Sequence, residues 1–329
     1  MLLDLYITHW TEPWEVGEPA LRMLSLQRMV DWSKIRVTMV HDGSEAFPEE
    51  KFSFLPFKVH QVCLPHGGIA RARNWCIEHG DGTWIKWCDF DDSFANVYAI
   101  RDVLNVLGDE RNDLLWFDLL WEHPGMGLTW LKQDRDPVFV HNKVFRRSFL
   151  LDNEIRFNEE LTWCEDSAFL AVVEMEIDHK KIGKINGCSP IYLYTVRQGS
   201  LCNRPDIKFA NLQSFFKRHC YVAEEFLKRG HVDEYNTMMV RIMGDSYYTC
   251  RRAPGIKEDR SEHERRVFEY FDAHRDAFYA CRPEMFDMAL EAVNRENYDG
   301  GKISKYDLMR WINAHERGED AWQAQRILA

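Results

Sequence analysis

The stretch Asp89-Phe90-Asp91-Asp92 places three carboxylates within four residues. Such crowding is costly unless a cation or a basic group offsets the repulsion. Hard divalent ions such as Mg²⁺ take oxygen ligands and often use only one or two protein carboxylates together with substrate phosphates. A solvated acidic turn is the plainer alternative. Because the run directly follows the apolar segment Trp84–Cys88, we read it as a metal-binding element.

Other segments could contribute chemistry. Asp42 stands in His41-Asp42-Gly43-Ser44 at the end of an apolar run, where a turn-forming Asp before Gly is the common structural explanation. Pro65 to Asn74 is a glycine-containing turn leading into a helix with two arginines, Arg71 and Arg73. Such a helix start could attract phosphate, although the spacing is neither a P-loop nor G-x-G-x-x-G. Glu165-Asp166 follows Thr162-Trp163-Cys164 at a helix start. Carboxylates there serve either as caps favoured by the helix dipole or as a general base toward an acceptor hydroxyl. The residues alone leave both readings open.

The elements that must position these groups alternate in type. Leu2–Thr8, Ile35–Val40, Phe57–Val62 and Trp84–Cys88 read as strands. Between them lie helical patterns, one with Pro19 at its first position and one from about Ile69 to a left-handed glycine stop at Gly80. Alternation of this kind predicts a mostly parallel sheet whose ligands sit at the carboxyl ends of strands, where Asp42 and the acidic run both fall. Asp113–Trp121 reads as one further strand, with a hairpin region punctuated by Gly125, Gly127 and Pro137. Helices near Arg147–Asp152 and Glu165–Met175 precede two short strands, Lys180–Ile185 and Ile191–Val196. From Pro205 onward the pattern is helical, with a charged linker expected over Lys257–Arg266.

Composition is that of a globular chain of 329 residues, 45% hydrophobic and 29% charged. The net charge of −11 argues against nucleic acid as the main partner. Nine cysteines, none in a C-x-x-C pair, predict buried free thiols rather than disulfides or a zinc knuckle. No apolar run approaches the ~20 residues of a membrane span and no targeting segment is evident, so a cytoplasmic location is expected.

Taken in order, the motifs resemble glycosyltransferase family 2, with its GT-A fold. The resemblance runs through His41-Asp42-Gly43-Ser44, Gly68…Arg73-Asn74, Trp84…Asp89-Phe90-Asp91-Asp92 and Asn142-Lys143-Val144-Phe145-Arg146-Arg147. It continues through Phe157-Asn158-Glu159-Glu160-Leu161, Glu165-Asp166 and Tyr194…Arg197-Gln198-Gly199-Ser200. It covers roughly residues 1–205, expected to form a nucleotide-sugar-binding catalytic domain, with 206–329 as a helical C-terminal region.

The resemblance implies an inverting transfer from a nucleotide-sugar, a UDP-sugar first of all, to an acceptor hydroxyl, assisted by Mn²⁺ or Mg²⁺. Asp42 resembles the carboxylate that contacts the base, Arg73 a support for that pocket and Asp89 the residue near the ribose. Thr8, closing the first strand, joins the donor-binding set. Asp91 and Asp92 match the metal-proximal end of the D-x-D element. Asp166, beside Glu165, matches the catalytic base, and Trp163 is a candidate acceptor or sugar platform. Arg197 and Ser200 fall where relatives fold over the diphosphate.

His41 replaces the usual acidic residue before Asp-Gly-Ser, and Thr8-His9-Trp10 replaces a Pro-x-Tyr-Asn type of strand ending. These departures bear on the donor base; His9 and His41 are pocket residues or structural histidines. The implied acceptor is a glycan, a lipid-linked sugar, a protein or a modified base in viral DNA. A pyrophosphorylase would carry a glycine-rich loop at His9–Trp14, which is absent. A degenerate scaffold that binds nucleotide or carbohydrate without turnover is the remaining alternative.

Overall fold

A computed structural model describes residues 1–123, 127–131, 138–185, 190–196, 208–252, 257–296 and 301–319. The chain divides into two compact units, Met1–Pro205 and Asp206–Ala329.

The first unit is built on β1 (Leu3–His9), a strand buried at every position. It pairs in parallel with β2 (Ile35–Asp42) and with β4 (Trp84–Asp89), and β3 (Val59–Leu64) extends the sheet beyond β2. On the other side β9 (Lys143–Arg146) runs antiparallel between β4 and β6 (Leu114–Trp116), and β10 (Ile182–Lys184) closes the sheet. The resulting order is β10-β6-β9-β4-β1-β2-β3. The expected mostly parallel α/β architecture is borne out, with β9 as its antiparallel member.

Helices α1 (Trp14–Ser25), α2 (Ile69–His79), α3 (Ala99–Leu107), α4 (Arg147–Asp152) and α5 (Glu165–Glu176) alternate with these strands. A second sheet has the order β5-β11-β7-β8, from Ser93–Phe94, Tyr192–Thr195, Leu119–His123 and Gly127–Leu131. The expected single strand Asp113–Trp121 is therefore two strands in two sheets. The chain changes sheet at Phe117-Asp118, where Phe117 N–H donates to Asn142 O and Ile191 N–H donates to Asp118 O.

Three further expectations are corrected by packing. Pro19 lies inside α1 because Trp14, Gly17, Leu21 and Leu24 make a buried stripe that starts one turn earlier. Gly80 is extended (φ −72°, ψ 156°), not left-handed. It is needed for space: a Cβ there would stand 2.7 Å from Asp4 Oδ2 and 2.8 Å from Tyr6 Oη. Cys63 is exposed, whereas Cys76 and Cys88 are buried as expected.

The second unit contains α6 (Lys208–Lys228), α7 (Val232–Arg252), α8 (Lys257–Ala280), α9 (Pro283–Glu296) and α10 (Lys305–Glu316) around its own core, which includes Met239, Met243, Phe271, Val293 and Trp311. The expected linker at Lys257–Arg266 is instead the start of α8. Glu262 pairs there with Arg265 at 2.8 Å and Arg266 at 2.9 Å, one helical turn away, while Val267 and Phe271 are buried. No described helix is long and apolar enough to cross a membrane.

Gly17 faces the ring of Phe90, which is buried against His9 and Phe47, and any Cβ there would collide with it. Replacing Gly17 with Val is expected to lower stability by about 1–3 kcal/mol through overpacking. Thermal unfolding measures this, and an unchanged midpoint would contradict the close packing of α1 on the acidic run.

Candidate functional site

The carboxyl ends of β1, β2 and β4 lie side by side, with Thr8 opposite Asp89 and His9 opposite His41. After Asp89 the chain turns, with Asp92 N–H donating to Asp89 O at 3.2 Å. Phe90 drops into the core and anchors the turn, leaving Asp89 and Asp92 on the functional side of the sheet. Thr8 Oγ1 donates to Asp89 Oδ1 at 2.9 Å.

Arg73 of α2 organises the site. Its side chain is 2% exposed and sits over the Phe157 ring. One terminal nitrogen reaches Glu165 Oε1 at 3.2 Å and contacts Asp166 Oδ1. The other reaches Asp89 Oδ1 at 3.2 Å. Burial opposes the guanidinium charge, yet Asp166, Asp89 and Glu165 raise its pKa above the ordinary arginine value. Burial likewise opposes ionisation of Asp89, but His141 and Arg73 hold that carboxyl well below the usual range. Asp166 has the opposite outcome. Burial pushes its carboxyl up to about 7 against the pull of Arg73, with Glu165 adding to the rise.

Glu165 and Asp166 occupy the first turn of α5, and Cys164 before them is left-handed (φ 65°, ψ 14°). A side-chain-bearing residue held there costs roughly 1–3 kcal/mol, which the surrounding contacts must offset. On α2, the neighbouring Asn74 fixes the approach to α5. Its side chain accepts from Phe157 N–H at 2.8 Å and donates to Phe157 O and Glu159 Oε1, both at 2.9 Å.

Asp92 is buried and accepts from Tyr192 Oη and Thr195 N–H, both at 2.9 Å. Tyr192 Oη also accepts from Asp89 N–H at 3.2 Å, so one hydroxyl ties both ends of the acidic run to β11. Burial, Asp89 and Asp91 raise the Asp92 carboxyl well above its ordinary range. His141 stacks parallel to Tyr192 with ring centres 5.7 Å apart, and its Nε2 stands 2.9 Å from Asp89 Oδ2. Asp89, Asp92 and His141 each offer one ligand atom, all within 4.8 Å of one another. Asp91 falls outside that group.

Other sequence candidates are placed as follows. Asp42 is buried at the end of β2 and accepts from Gly67 N–H at 2.7 Å and Gly68 N–H at 2.9 Å, with His66 Nδ1 at 2.9 Å. It thus holds the glycine turn before α2. His9 and His41 are structural: their Nδ1 atoms meet at 2.9 Å, and their Nε2 atoms face Glu12 O and Gln61 Oε1. Trp163 is half-buried. Arg197 and Ser200 lie outside the described residues. The sequence reading missed His141, Tyr192 and the stacked pair Trp10–His66 beside Asp42, with ring centres 5.3 Å apart. Only His141 carried a signal, as an imidazole directly before the Asn142-Lys143 motif.

The geometry can be set beside known proteins. Residues 15–170 match the model described as "Glycosyl transferase family 2". That match covers a little under half of the chain and lies within the first unit. It is 21% identical over 213 residues to the poly(ribitol-phosphate) beta-N-acetylglucosaminyltransferase TarS of Staphylococcus aureus strain Mu50, covering 61% of this chain and 36% of TarS. It is 25% identical over 103 residues to the succinoglycan biosynthesis protein ExoM of Rhizobium meliloti, covering 30% of this chain and 33% of ExoM. The chain thus spans about a third of the length of these curated relatives. Among solved structures, Staphylococcus aureus TarS 1–349 in complex with UDP aligns with a TM-score of 0.61 at 17% identity, covering 97% of this chain and 92% of that one. TarS 1–349 with UDP-GlcNAc aligns at 0.52 and 17% identity, covering 90% and 82%. These structural likenesses establish the GT-A fold with its helical C-terminal part.

Arg73→Ala would leave three clustered carboxylates without their buried cation. It is expected to cost about 3–5 kcal/mol, while Arg73→Lys, which keeps the charge but loses the planar fork, should fall between that variant and the wild type. Chemical denaturation measures both, and an Arg73→Ala protein as stable as the wild type would refute the central place given to this residue.

Proposed function

We propose that this chain is an inverting glycosyltransferase that moves a sugar from a UDP-sugar to an acceptor hydroxyl. The observation that carries the reading is the buried guanidinium of Arg73, which draws together Asp89 at the donor side and Asp166 at a helix start. Asp166 takes the proton of the acceptor hydroxyl as that oxygen attacks the anomeric carbon. The bond to the nucleoside diphosphate breaks in the same displacement, which inverts the configuration. Burial and Glu165 raise the basicity of Asp166 toward neutrality, the range in which a general base works best. Arg73 fixes its orientation, Glu165 sits beside it, and Trp163 offers an aromatic face to a sugar.

On the donor side, Asp42 and the Trp10–His66 pair suit a base, and Thr8 and Asp89 the ribose. Arg197 and Ser200 are assigned to the diphosphate. The uridine choice follows the TarS complexes with UDP and UDP-GlcNAc. Asp89, Asp92 and His141 fit a divalent ion, since their donor atoms are close enough to share one, and the carboxylate oxygens suit Mn²⁺ or Mg²⁺. Asp91 adds negative charge beside them. Such an ion would neutralise charge on the leaving diphosphate. The acceptor class is a hydroxyl-bearing glycan, with a lipid-linked sugar as its membrane-bound form, and the protein acts in the cytoplasm.

Asp166→Asn is expected to lower turnover of UDP-sugars by roughly 10²–10⁴-fold while leaving UDP affinity close to wild type. Full turnover in the variant would remove Asp166 as the base, and wild-type binding of UDP-sugar without any turnover would favour the degenerate scaffold. A base must be ionised to act, so kcat/KM should rise with pH and level off above about 7. A flat profile between pH 5 and 8, the interval in which such a group titrates, would contradict this. Calorimetric titration with Mn²⁺ in the presence of UDP tests the ion separately. His141→Ala should weaken it by about tenfold or more, and unchanged affinity would remove His141 from the ligand set.

A further inference from the structure

The helical unit contains a cavity of its own, open to solvent, with a volume of about 110 Å³. That is well above the roughly 10–15 Å³ that a single water needs, so the cavity can admit a larger polar group. Phe215, Phe216 and His219 of α6 line it, with Ser246 and Thr249 of α7 and His263 of α8. His219 is only 3% exposed, and neither ring nitrogen has a hydrogen-bond partner among the described residues. Its Nδ1 stands 3.6 Å from Asp245 Oδ2, beyond hydrogen-bonding reach. A buried imidazole left unpaired costs on the order of 1–3 kcal/mol, so the cavity is built to present it to something.

The charges around the cavity narrow what that is. Asp245 and Glu296 on its wall face Arg241, at 3.8 Å for Asp245 and in direct contact for Glu296. Arg218 acts on His219 together with Arg241, so two carboxylates are set against two guanidiniums within the protein. Burial holds the imidazoles neutral, with His219 well below its ordinary range and His263 down to about 4. A neutral imidazole has one donor and one acceptor nitrogen, and a Ser or Thr hydroxyl does both. The ligand group that answers all of them, whatever the tautomer, is a hydroxyl. A carboxylate or a phosphate ester dianion only accepts, and an ammonium only donates. Phe215 and Phe216 add apolar faces of the kind that pack on sugar C–H groups.

We infer that this cavity is a binding subsite for a neutral polyhydroxylated ligand, a saccharide unit, within the helical unit. The full chain labelled with ¹⁵N-histidine tests it, with methyl β-D-glucopyranoside and maltose as probes and His219→Gln used to assign the signal. Millimolar sugar should shift the His219 and His263 ring resonances saturably. Phe215→Ala, at a half-exposed position that spares the core, should weaken the effect about two- to tenfold. Absence of any shift with either sugar would overturn the inference. So would a larger response to inorganic phosphate or to spermidine at the same concentration.

Discussion

The candidate site of the α/β unit depends on the buried guanidinium of Arg73. A guanidinium removed from water is tolerable only where opposite charge surrounds it, and Arg73 meets Asp89, Glu165 and Asp166. The dependence is mutual. Without Arg73, three carboxylates from the end of β4 and the start of α5 would repel one another in a poorly solvated space. The same contacts bring together residues 89 and 166, far apart in the chain, and they divide the carboxylates by role. Asp89, with His141 as a second partner, is held ionised, while Asp166, more dominated by burial, is held near neutrality.

The acidic run shows how one short motif serves two ends. Phe90 is the apolar anchor that Gly17 admits, and the residues on either side are thereby turned to the functional face. Tyr192 then fixes the spacing by accepting from Asp89 N–H and donating to Asp92. The small second sheet is therefore part of the site, since its strand β11 supplies the hydroxyl and the Thr195 N–H that hold Asp92. His141, stacked on the same ring, completes a group of donors drawn from two segments.

The helical unit follows a different logic. Its core is apolar and self-contained, and its most charged helix, α8, is stabilised along its exposed side by pairs one turn apart. Against that background, an unpaired imidazole among hydroxyls and aromatic rings is out of keeping with a purely structural bundle.

Much of the fold was legible in the sequence because periodicity is local. The order of strands and helices, the end of β2 at Asp42 and the start of α5 at Glu165 followed from residue patterns and from the family's motif order. Boundaries failed where a distant partner decided them. Gly80 is required by the side chains of Asp4 and Tyr6, Pro19 is carried inside α1 by a stripe beginning at Trp14, and the break between β6 and β7 is imposed by pairing with two different sheets. The acidic run alone called for a cation or a base nearby, and the sequence could name its residues and their expected chemistry. Only the tertiary structure decided that the cation beside Asp89 is Arg73, that Asn74 locks α2 to Phe157, and that His141 stands with Asp89 and Asp92. Those relations join residues tens of positions apart, and electrostatics and hydrogen bonding act through space rather than along the chain.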